Sequence, residues 1–108
     1  MSKRIHAIVC ILTLSGVFLF ADKDSKSNFT PKDGYVPDAK TAIRIAVAIW
    51  EPIYGEKLIA AETPYDARLN TNGVWIVTGS LPENSLGGSA IAEIAKDDGR
   101  TLKVSHGK

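Results

Sequence analysis

Between Gly34 and Gly55 the apolar residues Ala39, Ala42, Ile43, Ala46, Ile49, Trp50 and Ile53 recur at spacings of three and four, the period of one buried helix face. Lys40, Arg44 and Glu51 take the opposite side, which Val47 interrupts as a candidate for contact with a partner. Pro37 suits a first turn, where its missing N–H costs nothing, and Asp38 places negative charge near the positive end of the helix dipole. Pro52 predicts an end or kink near Trp50 and Glu51, after which Tyr54-Gly55 turns the chain. The small residues Ala39, Ala42 and Ala46 let this helix lie close to a sheet.

Past Gly55 the period falls towards two. Lys57 to Ala61 is a short apolar run that reads as a strand, and Tyr65, Ala67 and Leu69 alternate with Asp66, Arg68 and Asn70, giving one dry and one wet face. Thr71-Asn72-Gly73 predicts a hairpin turn. Val74 to Val77 is apolar on both faces and so reads as a central strand. Leu81 to Gly88 is a loop. Ser89 to Ala95 and Arg100 to His106 form a second pair across Lys96-Asp97-Asp98-Gly99, with Leu102 and Val104 directed inward. One long N-terminal helix packed on a curved antiparallel sheet of about four strands defines an α+β class.

The front of the chain is of another kind. Lys3 and Arg4 precede Ile5 to Phe20, apolar apart from His6, Thr13, Ser15 and the weakly polar Cys10, and Ala21-Asp22-Lys23 then turns polar. That order matches a secretory signal cleaved after Ala21, and its 16 apolar-region residues fall short of the roughly 20 that span a bilayer. An uncleaved inner-membrane anchor is the alternative. Cys10 follows Ile8 and Val9 rather than small residues, so it reads as part of the apolar run and not as a lipidation site. Residues 22–33 mix both charge signs with little apolar content beyond Phe29 and read as a flexible leader, leaving 34–108 as one domain. Localisation is expected to be periplasmic.

Cleavage would leave 87 of the 108 residues, without a cysteine, so one modest hydrophobic core must stabilise the domain without a disulfide. It would also remove two of the 13 basic residues, leaving eleven against twelve acidic ones. That balance argues against a nucleic-acid partner, which requires a basic patch. His106 as the one remaining histidine argues against a structural zinc site. Gly87-Gly88 lacks a following lysine and helix and is no phosphate loop; it reads as a bulge or a close backbone contact. No cofactor is implied.

The succession D-A-K-T-A-I-R-I-A-V-A-I-W-E-P-I-Y-G, P-Y-D-A-R-L, N-G-V-W-I-V-T-G-S-L-P, G-G-S-A-I-A-E-I and D-D-G-R-T-L-K-V-S-H-G-K resembles the bacterial immunity-protein family named for the nuclear transport factor 2 (NTF2) fold, over about residues 34–108. The resemblance implies a cystatin/NTF2-like domain and a non-enzymatic antitoxin of a polymorphic toxin system, whose partner is a cognate protein toxin. The chain has room for one long helix where the full cone of that fold carries several. With an export signal, the toxin is expected to act in the cell envelope, and membrane contact is expected only through an uncleaved signal segment.

Binding requires an apolar or aromatic centre with a polar rim, and three places offer one. They are the loop Pro82 to Gly88 with Glu83, Asn84 and Leu86, the turn carrying Tyr54 and Lys57, and the outer sheet face with Arg68 and Glu93. Trp50 and Trp75 read as core. Tyr54 and Tyr65 flank the helix end, where their hydroxyls serve a partner or cap the core edge. His106 lacks any nucleophile motif and reads as a strand-end or surface residue. An enzyme would need paired acid–base groups facing an apolar cavity, and the predicted buried helix face carries no carboxylate. The competing reading is a periplasmic peptide- or enzyme-binding inhibitory module.

Overall fold

The computed structural model describes residues 28–83 and 85–107. The expected signal, most of the expected leader, and Asn84 among the candidate contact residues lie outside these described residues. A compact unit begins at Pro31, and residues 28–30 before it carry neither helix nor strand.

Helix α1 spans Ala39–Tyr54. Asp38 rather than Pro37 starts it: the Asp38 carboxylate accepts from the Thr41 amide at 2.8 Å and from the Thr41 hydroxyl at 2.6 Å, satisfying a first-turn donor that has no partner within the helix. The same bonds hold its carboxyl below the usual carboxylate range. Pro52 lies inside the helix and does not end it. Its ring removes the bond to the carbonyl of residue 48, but Ala48 and Pro52 share the exposed side, so the loss falls where water reaches it. Gly55, at φ 99°, closes the helix by donating to the Glu51 carbonyl at 2.9 Å. Ala42, Ala46 and Trp50 form the buried stripe, which Tyr54 continues by packing against the core, whereas Ile53, expected on it, is 57% exposed. Val47 packs against the core.

The run expected as a strand at Lys57 to Ala61 is a second helix, α2, Glu56–Ala60. Only Ile59 is fully buried, and Leu58 is half-exposed. A five-residue segment with one inward anchor satisfies its amides locally, Ile59 to Gly55 and Ala61 to Lys57, rather than through a ladder. Short apolar runs do not distinguish these two states by period.

Strands β1 (Asp66–Leu69), β2 (Val74–Thr78), β3 (Ala90–Ala95) and β4 (Thr101–His106) follow. They pair antiparallel in chain order, so β2 and β3 are central. Trp75 opposite Ile94, and Val77 opposite Ala92, face α1 and build the core with Val36, Ala42, Ala46, Trp50, Ile59 and Ala90. Both indole N–H groups find carbonyls, Trp50 at Ile91 (3.3 Å) and Trp75 at Val36 (2.8 Å). A bulge at Glu93/Ile94 sets Lys103 opposite Glu93 and Thr101 opposite Ile94. Leu102 is therefore the extra residue and is 45% exposed, not inward as expected; Val104 does pack on the core. The α+β arrangement of one long helix on a four-stranded antiparallel sheet is the one expected.

Candidate functional site

The most constrained polar group in the described residues is Glu62, which follows α2 and is only 5% exposed. A buried carboxylate is tolerated only when its oxygens are paired. One oxygen accepts from the amide of Ala90, the first residue of β3, at 2.8 Å. The other meets Nε2 of His106, the last residue of β4, at 2.6 Å. The Glu62 carbonyl accepts from the Ser80 amide at 2.7 Å, and the Ser80 hydroxyl donates to the Pro64 carbonyl at 2.6 Å. Gly79 makes room for the carboxylate, since a Cβ there would stand 2.4 Å from Glu62 Oε1. Residues distant in sequence thus converge at the end of the sheet where β2 leaves, β3 enters and β4 finishes.

His106 completes this end. Nδ1 lies 2.8 Å from the Gly107 carbonyl, and the ring packs against Tyr54 with centroids 5.1 Å apart. The bond to Glu62, then that to Gly107, raises the imidazole pKa above its ordinary 6.5, against the opposing effect of burial. With both nitrogens engaged, the ring offers no free lone pair to a substrate. Tyr65, which feels the Glu62 charge, donates its hydroxyl to the Ile59 carbonyl at 2.8 Å, and burial followed by the charges of Glu51 and Glu62 raises its pKa. Its hydroxyl therefore serves the core edge.

The residues expected from sequence to contact a partner fall in two places. Tyr54, Lys57, Glu83 and Leu86 belong to the elements at the Glu62–His106 end; Lys57 and Glu83 are exposed, Leu86 is 98% exposed, and Tyr54 is half-buried against the core. Arg68 and Glu93 share the outer sheet face, in a row that registers Arg68, Ile76, Glu93 and Lys103 across the four strands. Arg68 pairs with Asp66 at 3.0 Å, an exposed contact of little energetic weight. Gly88 packs directly against Gly107, the close backbone approach expected of the Gly87-Gly88 pair. Sequence reasoning missed Glu62: nothing in A-E-T-P-Y marks one glutamate as buried, and its partner lies 44 residues away.

The opposite end of the sheet holds a cavity of about 330 Å³ lined by Lys32, Asp33, Lys96, Asp97, Arg100 and Leu102 among others. Two of its cations have partners: the Lys96 ammonium donates to the Asp33 main-chain carbonyl, and Arg100 pairs with Asp98. Among the described residues no group of three or more His, Cys, Asp or Glu could hold a metal ion.

Comparison with known proteins agrees with the architecture. The family described as NTF2 fold immunity protein matches residues 41–108, a span that takes in nearly all of α1 and the whole sheet. The chain is also similar to the uncharacterized protein YhhH of Escherichia coli (strain K12), 31% identical over 86 residues, which are 79% of this chain and 66% of that protein. It thus spans just under two thirds of that relative's length. No solved structure matches the chain. The chain belongs to the NTF2-fold immunity-protein family.

Proposed function

We propose that this protein neutralises a cognate bacterial toxin by binding it, and that the toxin acts in the cell envelope. The family match over residues 41–108 carries the reading. Binding rather than turnover is supported by the state of the one described histidine, whose nitrogens are both occupied. The envelope assignment draws on the basic start and apolar run of residues 3–20, the order of an export signal. Partner contact is assigned to Tyr54, Lys57, Glu83 and Leu86 at one end of the domain, with Arg68 and Glu93 on the outer face.

A pull-down of the tagged full chain from its native cells, at low and high salt, should recover a secreted toxin fragment. Cells exporting that toxin to the periplasm should then survive with the full chain and die with a chain lacking residues 1–21. Equal protection by the shortened, cytosolic chain would sink the envelope assignment while leaving immunity intact. Recovery of housekeeping envelope proteins alone, with no protection, would overturn immunity itself.

A further inference from the structure

The Glu62–His106 contact has a proton count that its geometry imposes. Nδ1 faces a carbonyl and Nε2 faces a carboxylate, and both are acceptors. A neutral imidazole donates from one nitrogen only, so both contacts are made together when the ring is an imidazolium beside an ionised Glu62. Removing one proton leaves two lone pairs facing each other at one of the two contacts. The carboxylate cannot swing away freely, because its other oxygen holds the Ala90 amide and Gly79 closes over it.

We infer that Glu62 and His106 form a proton-dependent clamp, which fastens the ends of β3 and β4 and the start of the β2–β3 connection most tightly when His106 is charged and loosens them when it is neutral, because the ionic attraction and one of the ring's two hydrogen bonds are then lost. The parts fastened are specific. Glu62 holds Ala90 through its side chain and Ser80 through its carbonyl, and Gly107, next to His106, donates to the Ser89 carbonyl at 3.1 Å. Both bases of the connection that carries Leu86 are therefore bonded to Glu62 or to the neighbour of His106, the Ala90 bond through the paired carboxylate itself. Among the described residues, Lys57 of α2 and Glu83 are the charged side chains already placed at this end, and both are exposed. From α1 the ring meets Tyr54, with Glu51 nearby acting on Tyr65; from the α2–β1 connection it meets Glu62; Tyr65 stands at the entry to β1. Glu93 of β3 and Lys103 of β4 belong to the outer-face row. Because the folded imidazole holds its proton more tightly than an ordinary histidine, the clamp's stabilisation is complete below about pH 6.5 and disappears as pH rises through the raised value.

Nuclear magnetic resonance of the full chain tests this, following the His106 ring nitrogens and the amides of Ser80, Ala90 and Gly107 from pH 5 to 9. The ring should titrate above 6.5, and the three amides should shift with it. Protection of Ala90 against hydrogen exchange, corrected for the intrinsic rate, should fall about tenfold or more across that transition, the scale of a charge-assisted hydrogen bond. Glu62→Gln supplies the decisive control. Its amide can still accept from Ala90 while donating to a neutral Nε2, so its pH dependence should reverse, with protection lost on acidification. His106→Gln should leave Ala90 protection independent of pH. A ring titrating at or below 6.5, amides indifferent to it, or a Glu62→Gln profile of unchanged sign would overturn the clamp.

Discussion

Trp50→Ala is expected to lower the unfolding free energy by about 3–5 kcal/mol, measured as a shift of the urea midpoint at unchanged slope. A domain of this size has about 5–15 kcal/mol in all, so the variant should sit near the edge of folding at 37 °C. Trp50 is wholly buried between α1 and the sheet, donates to the Ile91 carbonyl of β3 and packs against Tyr65 at 5.9 Å between centroids. Removing it leaves a cavity in a core whose Ala42, Ala46 and Ala92 side chains are too short to compensate. Trp50→Phe keeps most of the apolar contact and loses the indole donor, and should fall between the two. Trp75, the second of the chain's two tryptophans, remains as the fluorescent probe. A loss below about 1 kcal/mol would mean that α1 is not seated on the sheet through this residue.

Much of this architecture was legible because it rests on periodicity. Ala42, Ala46 and Trp50 mark the buried stripe of α1 at strict four-residue spacing, and Val74 to Val77, apolar on both sides, marks the strand with neighbours on each edge. The errors share one cause, which is that local pattern does not encode where an element sits. Ile53 falls at a stripe spacing, but Tyr54 takes the inward position beyond Trp50; Leu102 looks inward until the bulge displaces it. Lys57 to Ala61 has the composition of a strand, yet it follows the Gly55 turn and closes its amide bonds locally, Ile59 to Gly55 and Ala61 to Lys57. The candidate site was harder still. Leu86 and Lys57 stood out as surface residues in loops, but Glu62 became visible only when folding brought β4 back beside the α2–β1 connection. A buried ion pair between residues far apart in sequence leaves no periodic trace.

The domain also reaches further towards its N-terminus than the family match at residues 41–108, and Gly34 tests that extension. Tyr35 and Val36 donate their amides to the Asp97 and Lys96 carbonyls at 2.9 and 3.0 Å, and the Val36 carbonyl takes the Trp75 indole N–H. Val36 itself is 1% exposed. This strap therefore covers one end of the core. It depends on Gly34, which has φ 84° and whose added Cβ would lie 2.5 Å from the Lys96 carbonyl oxygen. Gly34→Ala should cost about 1–2 kcal/mol for the left-handed backbone and about 1–3 kcal/mol more for overpacking against main chain that cannot yield. Gly99 separates the two contributions. It has φ 77°, but a Cβ there meets only Val36 Cγ2 at 3.6 Å, an ordinary contact, so Gly99→Ala should show the backbone cost alone. Urea midpoints for both variants decide the matter. A Gly34→Ala loss clearly larger than that of Gly99→Ala makes the strap part of the cooperative fold. Equal losses would mean that it peels away from the Lys96–Asp97 turn, leaving the Trp75 N–H to water and confining the folded domain to the residues the family shares.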